Sequence, residues 1–188
     1  MKDQDITEEI DLSGLSTAEP DIPAETSREF ENAAMIGDEK LRASGFFVNI
    51  VRRASSEGFK GSAPLVLIVE DDPGTVTVID AVIKRHGFST RSAGNLQEII
   101  RALNTRPQPD LILLDILLPD ANGFAVLERL RRHPEFSAIP VVMLTSLSDP
   151  ADVAKGLALG ATGYMSKPAR PQALLSAIEI VLGMKAEE

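Results

Sequence analysis

Four short runs carry side chains whose chemistry belongs together. Glu70-Asp71-Asp72 follows the apolar run Leu65–Val69, and Asp115 is the one charge in the eight residues Leu111–Leu118. Thr145-Ser146 follows Val141–Leu144, and Lys167-Pro168 follows Gly163–Ser166. An ionised carboxylate is expensive to bury without a partner, so a buried strand ending on aspartate presents that group where something binds or reacts. Two carboxylates ~4 Å apart repel by roughly 1 kcal/mol in water and ~4 kcal/mol at an effective dielectric near 20. A hard cation removes that repulsion, and a site of oxygen ligands without His or Cys suits Mg²⁺. Taken singly, Asp72 is a helix N-cap, Thr145 a strand-end cap and Lys167 a solvated loop lysine. Together with Asp71 and Asp115, Thr145 and Lys167 at one rim favour a phosphoryl site. There a cation and an ammonium stabilise charged oxygens, and a carboxylate can serve as nucleophile.

The elements that must position these groups can be read from the apolar pattern. From Pro64 onward, apolar runs at 65–69, 111–115 and 139–144 and short segments at 88–92 and 162–165 predict five strands. Between and after them, apolar residues at helical spacing predict five helices. These carry Ile79 and Ile83, Ile99 and Leu103, Leu127 and Leu130, Val153 and Leu157, and Leu174 and Ile178. Strands alternating with helices predict an α/β fold with a parallel sheet covered on both faces. Five such units are too few for a closed eight-stranded barrel. An open, doubly wound sheet remains, with its ligand beyond the carboxyl ends of the strands.

Composition narrows the function further. The 188 residues hold no cysteine, which excludes disulfides, thiolate zinc sites and thiol catalysis. A net charge of −9 argues against nucleic acid as a partner, and 4% aromatic residues argue against a base-stacking surface. His86 and His133 fall near predicted helix ends and read as solvated. The N-terminus has no apolar run, and no stretch is long enough to span a bilayer, so the expectation is a cytoplasmic protein with no membrane insertion. Residues 1–31, with ten acids and two bases, read as an acidic disordered tail. Residues 32–63 read as a linker. Phe47, Ile50, Val51 and Ala54 sit there at the spacing of a short amphipathic helix, which would tether a partner or cover part of the folded domain. The domain itself is expected over 64–186.

Four motifs now bear on a family. They are Leu-Ile-Val-Glu-Asp-Asp (67–72), Asp-Leu-Ile-Leu-Leu-Asp-Ile-Leu-Leu-Pro-Asp-Ala-Asn-Gly-Phe (110–124), Pro-Val-Val-Met-Leu-Thr-Ser (140–146) and Gly-Ala-Thr-Gly-Tyr-Met-Ser-Lys-Pro (160–168). With these, residues 64–184 resemble the receiver domain of two-component response regulators. The resemblance implies a flavodoxin-like five-stranded parallel sheet of order 2-1-3-4-5 with five helices. It implies Asp115 as phosphoacceptor, and Mg²⁺ held by Glu70 (through water), Asp71, Asp115 and the backbone carbonyl of Leu117. Thr145 and Lys167 would contact the phosphoryl group, the Lys167–Pro168 peptide would be cis, and Thr145 and Tyr164 would form the switch. Asn122-Gly123 stands where the family often has Asp-Gly, and both pairs suit a turn.

The implied function is a signalling module that catalyses only its own phosphorylation and dephosphorylation. A sensor histidine kinase or histidine phosphotransfer protein would be the donor and a downstream protein the target. A homodimer through the face of the fourth and fifth helices is compatible with the resemblance. With no helix-turn-helix after residue 184, the expectation is a stand-alone receiver with an N-terminal extension. Apolar Leu117 and Leu147 predict slow loss of the phosphoryl group, as suits a phosphorelay. Two other classes fit the residues less well. A metal-dependent hydrolase would need an Asp-x-Asp arrangement, whereas Ile116-Leu117 follows Asp115. A phosphorylation-independent scaffold is disfavoured by intact Asp115, Thr145 and Lys167. No Gly-x-Gly-x-x-Gly follows the first strand, which argues against dinucleotide binding.

Overall fold

The apolar runs form a sheet whose helices cover both faces. The computed structural model describes residues 10–15, 17–22, 24–48, 63–146 and 149–184. Its elements are α1 (Ala24–Ser44), β1 (Phe46–Val48), β2 (Leu65–Val69), α2 (Pro73–Arg85), β3 (Ser89–Ala93), α3 (Leu96–Asn104), β4 (Leu111–Asp115), α4 (Gly123–Arg132), β5 (Val141–Thr145), α5 (Pro150–Leu159), β6 (Gly163–Ser166) and α6 (Pro171–Val181). The sheet order is β1-β6-β5-β4-β2-β3. The five strands from β2 onward are parallel. Counted among themselves, they have the expected order 2-1-3-4-5.

Side chains alternate across the sheet, and this builds two cores. On one face Leu67, Val69, Ile112, Leu114, Val141, Met143 and Tyr164 pack with α3, α4 and α5. On the other, Val66, Ile68, Leu111, Leu113, Val142, Leu144 and Met165 pack with α2 and α6. Because β2, β4 and β5 are apolar on both faces, they occupy the sheet centre, and their C-terminal ends share one edge. Sharp stops keep that edge in place. Asp72 caps α2 by accepting from the Thr75 amide at 2.7 Å, and Asn122 caps α4 by accepting from the Phe124 amide at 2.9 Å.

The N-terminal part corrects the sequence expectation. In place of a tail through residue 31 and a linker beyond it, α1 runs over Ala24–Ser44 and β1 adds a sixth, antiparallel strand to β6. Ile10 and Leu12, inside the stretch read as disordered, are buried with the core. Phe47 lies in β1 and not on a short helix; Ile50, Val51 and Ala54 fall outside the described residues. The physical reason is tertiary. Phe30, Ala34, Gly37 and Leu41 recur at helical spacing, and α1 packs against α5, which stabilises a helix that composition alone makes marginal. Acid counting weighed the charges and overlooked this apolar stripe. Among the described residues no helix is long and apolar enough to cross a membrane.

Candidate functional site

The parallel register brings the chemistry-bearing residues to one edge. Val69 pairs with Leu114, Asp115 with Leu144, and Thr145 with Ser166, so residues 70, 115, 145 and 167 emerge side by side. Glu70, Asp71 and Asp115 each bring a carboxylate oxygen within 4.8 Å of the others. Glu70 and Asp115 are buried, and Asp71 is exposed. Lys167 reaches in from the end of β6, with Nζ 2.7 Å from Asp115 Oδ2 and 2.7 Å from Glu70 Oε2. The Asp115 contact has hydrogen-bond geometry, whereas Glu70 Oε2 is held by charge alone. The backbone fixes this lysine: its N–H donates to the Thr145 carbonyl at 2.7 Å, and the Lys167–Pro168 peptide is cis. Thr145 is itself buried at the tip of β5.

The electrostatics follow from this crowding. Burial pushes the Glu70 carboxyl above its ordinary range; Lys167 opposes that shift, and Asp115 adds to it. Burial works against the charged form of Lys167, but Asp115 and Glu70 outweigh it and hold the ammonium above its ordinary pKa. One ammonium therefore faces three carboxylates, an excess of negative charge in a partly buried place. The donors are all oxygens, with no His or Cys among them, and this set fits a hard divalent cation.

Each expected site residue has a definite place. Glu70, Asp71, Asp115 and Lys167 converge, with Thr145 on the adjacent strand end. Leu117 adjoins Asp115: its N–H donates to Asp115 Oδ1 at 3.3 Å, and its side chain points outward, 70% exposed. Leu147 is outside the described residues. Tyr164 is fully buried, with its hydroxyl donating to the carbonyls of Asp152 at 3.0 Å and Val153 at 3.3 Å on α5.

Two glycines do more than their sequence context suggested. A Cβ on Gly123 would stand 2.1 Å from the Asp115 carbonyl oxygen, so the start of α4 can close over the loop after Asp115 only as glycine. The sequence pattern of Asn122-Gly123 by itself implies only a turn. A Cβ on Gly156 would stand 1.5 Å from the Tyr164 hydroxyl oxygen, so a glycine inside α5 makes room for the ring. A glycine inside a helix costs about 0.5–1 kcal/mol relative to alanine, and that cost was the available signal.

Comparison with known proteins agrees with this fold. A family model described as the response regulator receiver domain matches residues 66–179. The transcriptional regulatory protein GltR of Pseudomonas aeruginosa is 36% identical over 117 residues, covering 62% of this chain and 48% of GltR. The chain thus spans about half the length of the curated relatives it matches. A putative response regulator from Chloroflexus aurantiacus superposes with a TM-score of 0.61 at 30% identity, over 64% of this chain and 98% of that one. The receiver domain of a sensor histidine kinase from Pseudomonas aeruginosa PAO1, with a magnesium ion coordinated in its active-site cleft, gives 0.58 at 26% identity, over 64% and 98%.

Proposed function

The chain belongs to the response regulator receiver family, and from that premise we propose that Asp115 is its phosphoacceptor and that a partner phosphohistidine is the donor. A carboxylate oxygen of Asp115 attacks phosphorus and the P–N bond breaks. The leaving imidazole takes up a proton, and an aspartyl phosphate results. The observation that carries this reading is Asp115 at a strand tip, buried, with Lys167 2.7 Å away and two further carboxylates alongside.

Asp71, Asp115 and the backbone carbonyl of Leu117 would hold Mg²⁺, with Glu70 acting through water. A related receiver carries magnesium in its cleft, and the oxygen-only donor set here fits the same ion. When bound, the ion would neutralise charge on the acceptor and on the incoming phosphoryl oxygens. The chain's own residues do the remainder. The Leu117 amide and Lys167 orient the Asp115 carboxylate. Lys167 then pairs with a phosphoryl oxygen, and the Thr145 hydroxyl donates to another. The strand tips of β4, β5 and β6 move as these bonds form, and a change in protein–protein contacts is the output.

The test is incubation of the chain with acetyl phosphate, followed by intact-mass measurement with and without Mg²⁺. The reading expects one phosphoryl adduct that needs the ion. A scaffold that never accepts phosphoryl shows none. A hydrolase consumes the reagent through many turnovers and keeps no acyl phosphate.

A further inference from the structure

We infer that Ala24–Val48 is an intramolecular ligand of the β6 edge, and that its seating and the loading of Asp115 favour one another. The inference rests on the reading of Asp115 as phosphoacceptor and adds to it how the N-terminal segment regulates that site.

β6 serves two neighbours through consecutive residues. Ser166 pairs with Thr145 on one side, while on the other its N–H donates to the Gly45 carbonyl at 3.0 Å and its Oγ to the same oxygen at 3.3 Å. Gly45 is the junction between α1 and β1. The next residue, Lys167, gives its N–H to Thr145 and its ammonium to Asp115. Adjacent residues therefore carry the fastening of the N-terminal segment and the cation that meets Asp115.

The same segment encloses Tyr164. Phe47 sits opposite Tyr164 in the antiparallel pair, and both face the same core. α1 closes over them so tightly that a Cβ on Gly37 would lie 3.0 Å from the Phe47 ring and 3.1 Å from Val153 of α5. Ahead of that segment, an ion pair of 2.5 Å joins Glu19 to Lys155 of α5. Without β1, β6 would be a sheet edge and Tyr164 would lie at its rim.

These arrangements set the sign of the coupling. An aspartyl phosphate carries about two negative charges near neutral pH, which draws Lys167 and fixes the end of β6. Seating of β1 fixes the same strand from its other side. Two ligands that order one element each lower the ordering cost for the other. Such coupling is reciprocal.

Hydrogen exchange on the full chain tests the forward direction, with Mg²⁺ and beryllofluoride as the probe. Exchange of the α1 and β1 amides is expected to slow by about fivefold or more on loading, the lower end of ordinary coupling between sites. The reverse direction uses Ala34→Glu, which buries a carboxylate between α1 and α5 and leaves every site residue in place; Ala34 is 1% exposed. After incubation with acetyl phosphate and Mg²⁺, this variant should hold a smaller phosphorylated fraction than the natural chain. Circular dichroism checks that its fold persists, and Gly163→Ala serves as a second variant because its Cβ would stand 2.4 Å from the Phe47 carbonyl. Unchanged or faster exchange in a sample that does carry the adduct overturns the coupling and leaves the acceptor reading standing. Equal loading of both variants and the natural chain does the same. Absence of any adduct on the natural chain overturns both.

Discussion

At the scale of residues, the site is a charge balance that Lys167 closes. Glu70 and Asp115 are almost wholly enclosed, and the Lys167 side chain is 20% exposed. Replacing Lys167 by alanine leaves two buried carboxylates facing each other. Removal of one member of a fully buried pair costs about 3–5 kcal/mol, and the partial exposure of the ammonium reduces that. Thermal unfolding of Lys167→Ala should therefore show a clear loss of stability, and added Mg²⁺ should restore more of it than it adds to the natural chain. An equal response to Mg²⁺ in both would contradict the balance. Tyr164 offers a second residue-scale prediction, because it is the one tyrosine in the chain. Burial pushes its hydroxyl well above the ordinary value of 10.0, with Asp152 adding to the shift. A raised folded-state pKa means that the neutral form is favoured in the folded chain. The resulting stability is complete below pH 10 and is lost as pH rises beyond it. Ultraviolet titration should show no phenolate in the folded protein at pH 10, and a phenolate signal there would contradict the burial. At the mouth of the site, Leu117 places an exposed apolar side chain beside the acceptor. Leu117→Asn should shorten the lifetime of the phosphorylated form, measured as decay of the mass adduct; an unchanged lifetime would refute that role.

At the scale of elements, α5 and β6 fit each other through Gly156 and Tyr164. Gly156→Ala forces the ring or the helix to move, since the added Cβ would fall 1.5 Å from the hydroxyl oxygen. Overpacking of this kind costs about 1–3 kcal/mol. The variant should unfold at a lower temperature, and its tyrosine should titrate nearer its ordinary pKa; a natural titration curve would show that the cavity is larger than the geometry implies. The same element pair shows how far sequence reading reaches. Apolar runs such as Leu111–Leu114 and Val141–Leu144 read as buried parallel strands, whose acid-bearing ends meet if the strands are neighbours, and the strand order came from the family resemblance. The placement of residues 70, 71, 115 and 167 at strand ends was therefore legible from the pattern, and their clustering from the resemblance. The close approaches at Gly123 and Gly156 were not, because they depend on which backbone or ring comes near, and no local pattern encodes that. β1 was missed for a related reason. Three residues give too short an alternation to register as a strand, and what holds them is the edge of β6, a distant part of the chain.

At the scale of the whole molecule, the N-terminal segment belongs to the folded unit it was expected to trail from. Leu41 is 1% exposed and joins the same apolar cluster as Tyr164 and Leu157. Leu41→Ala should cost about 2–5 kcal/mol, as truncation in a packed core does. It should shift one cooperative unfolding transition; a separate early transition would mean that α1 melts on its own. A net charge of −9 on the chain, with carboxylates in excess at the site, makes a cation the natural companion of any phosphoryl transfer here. The central claim is that this excess is organised around one nucleophilic oxygen. The most direct test is peptide mapping by mass spectrometry after acetyl phosphate treatment in Mg²⁺ and borohydride reduction, which converts an aspartyl phosphate to homoserine. The account predicts homoserine at position 115 and at no other aspartate. Reduction at another residue, or no reduction anywhere, would contradict it.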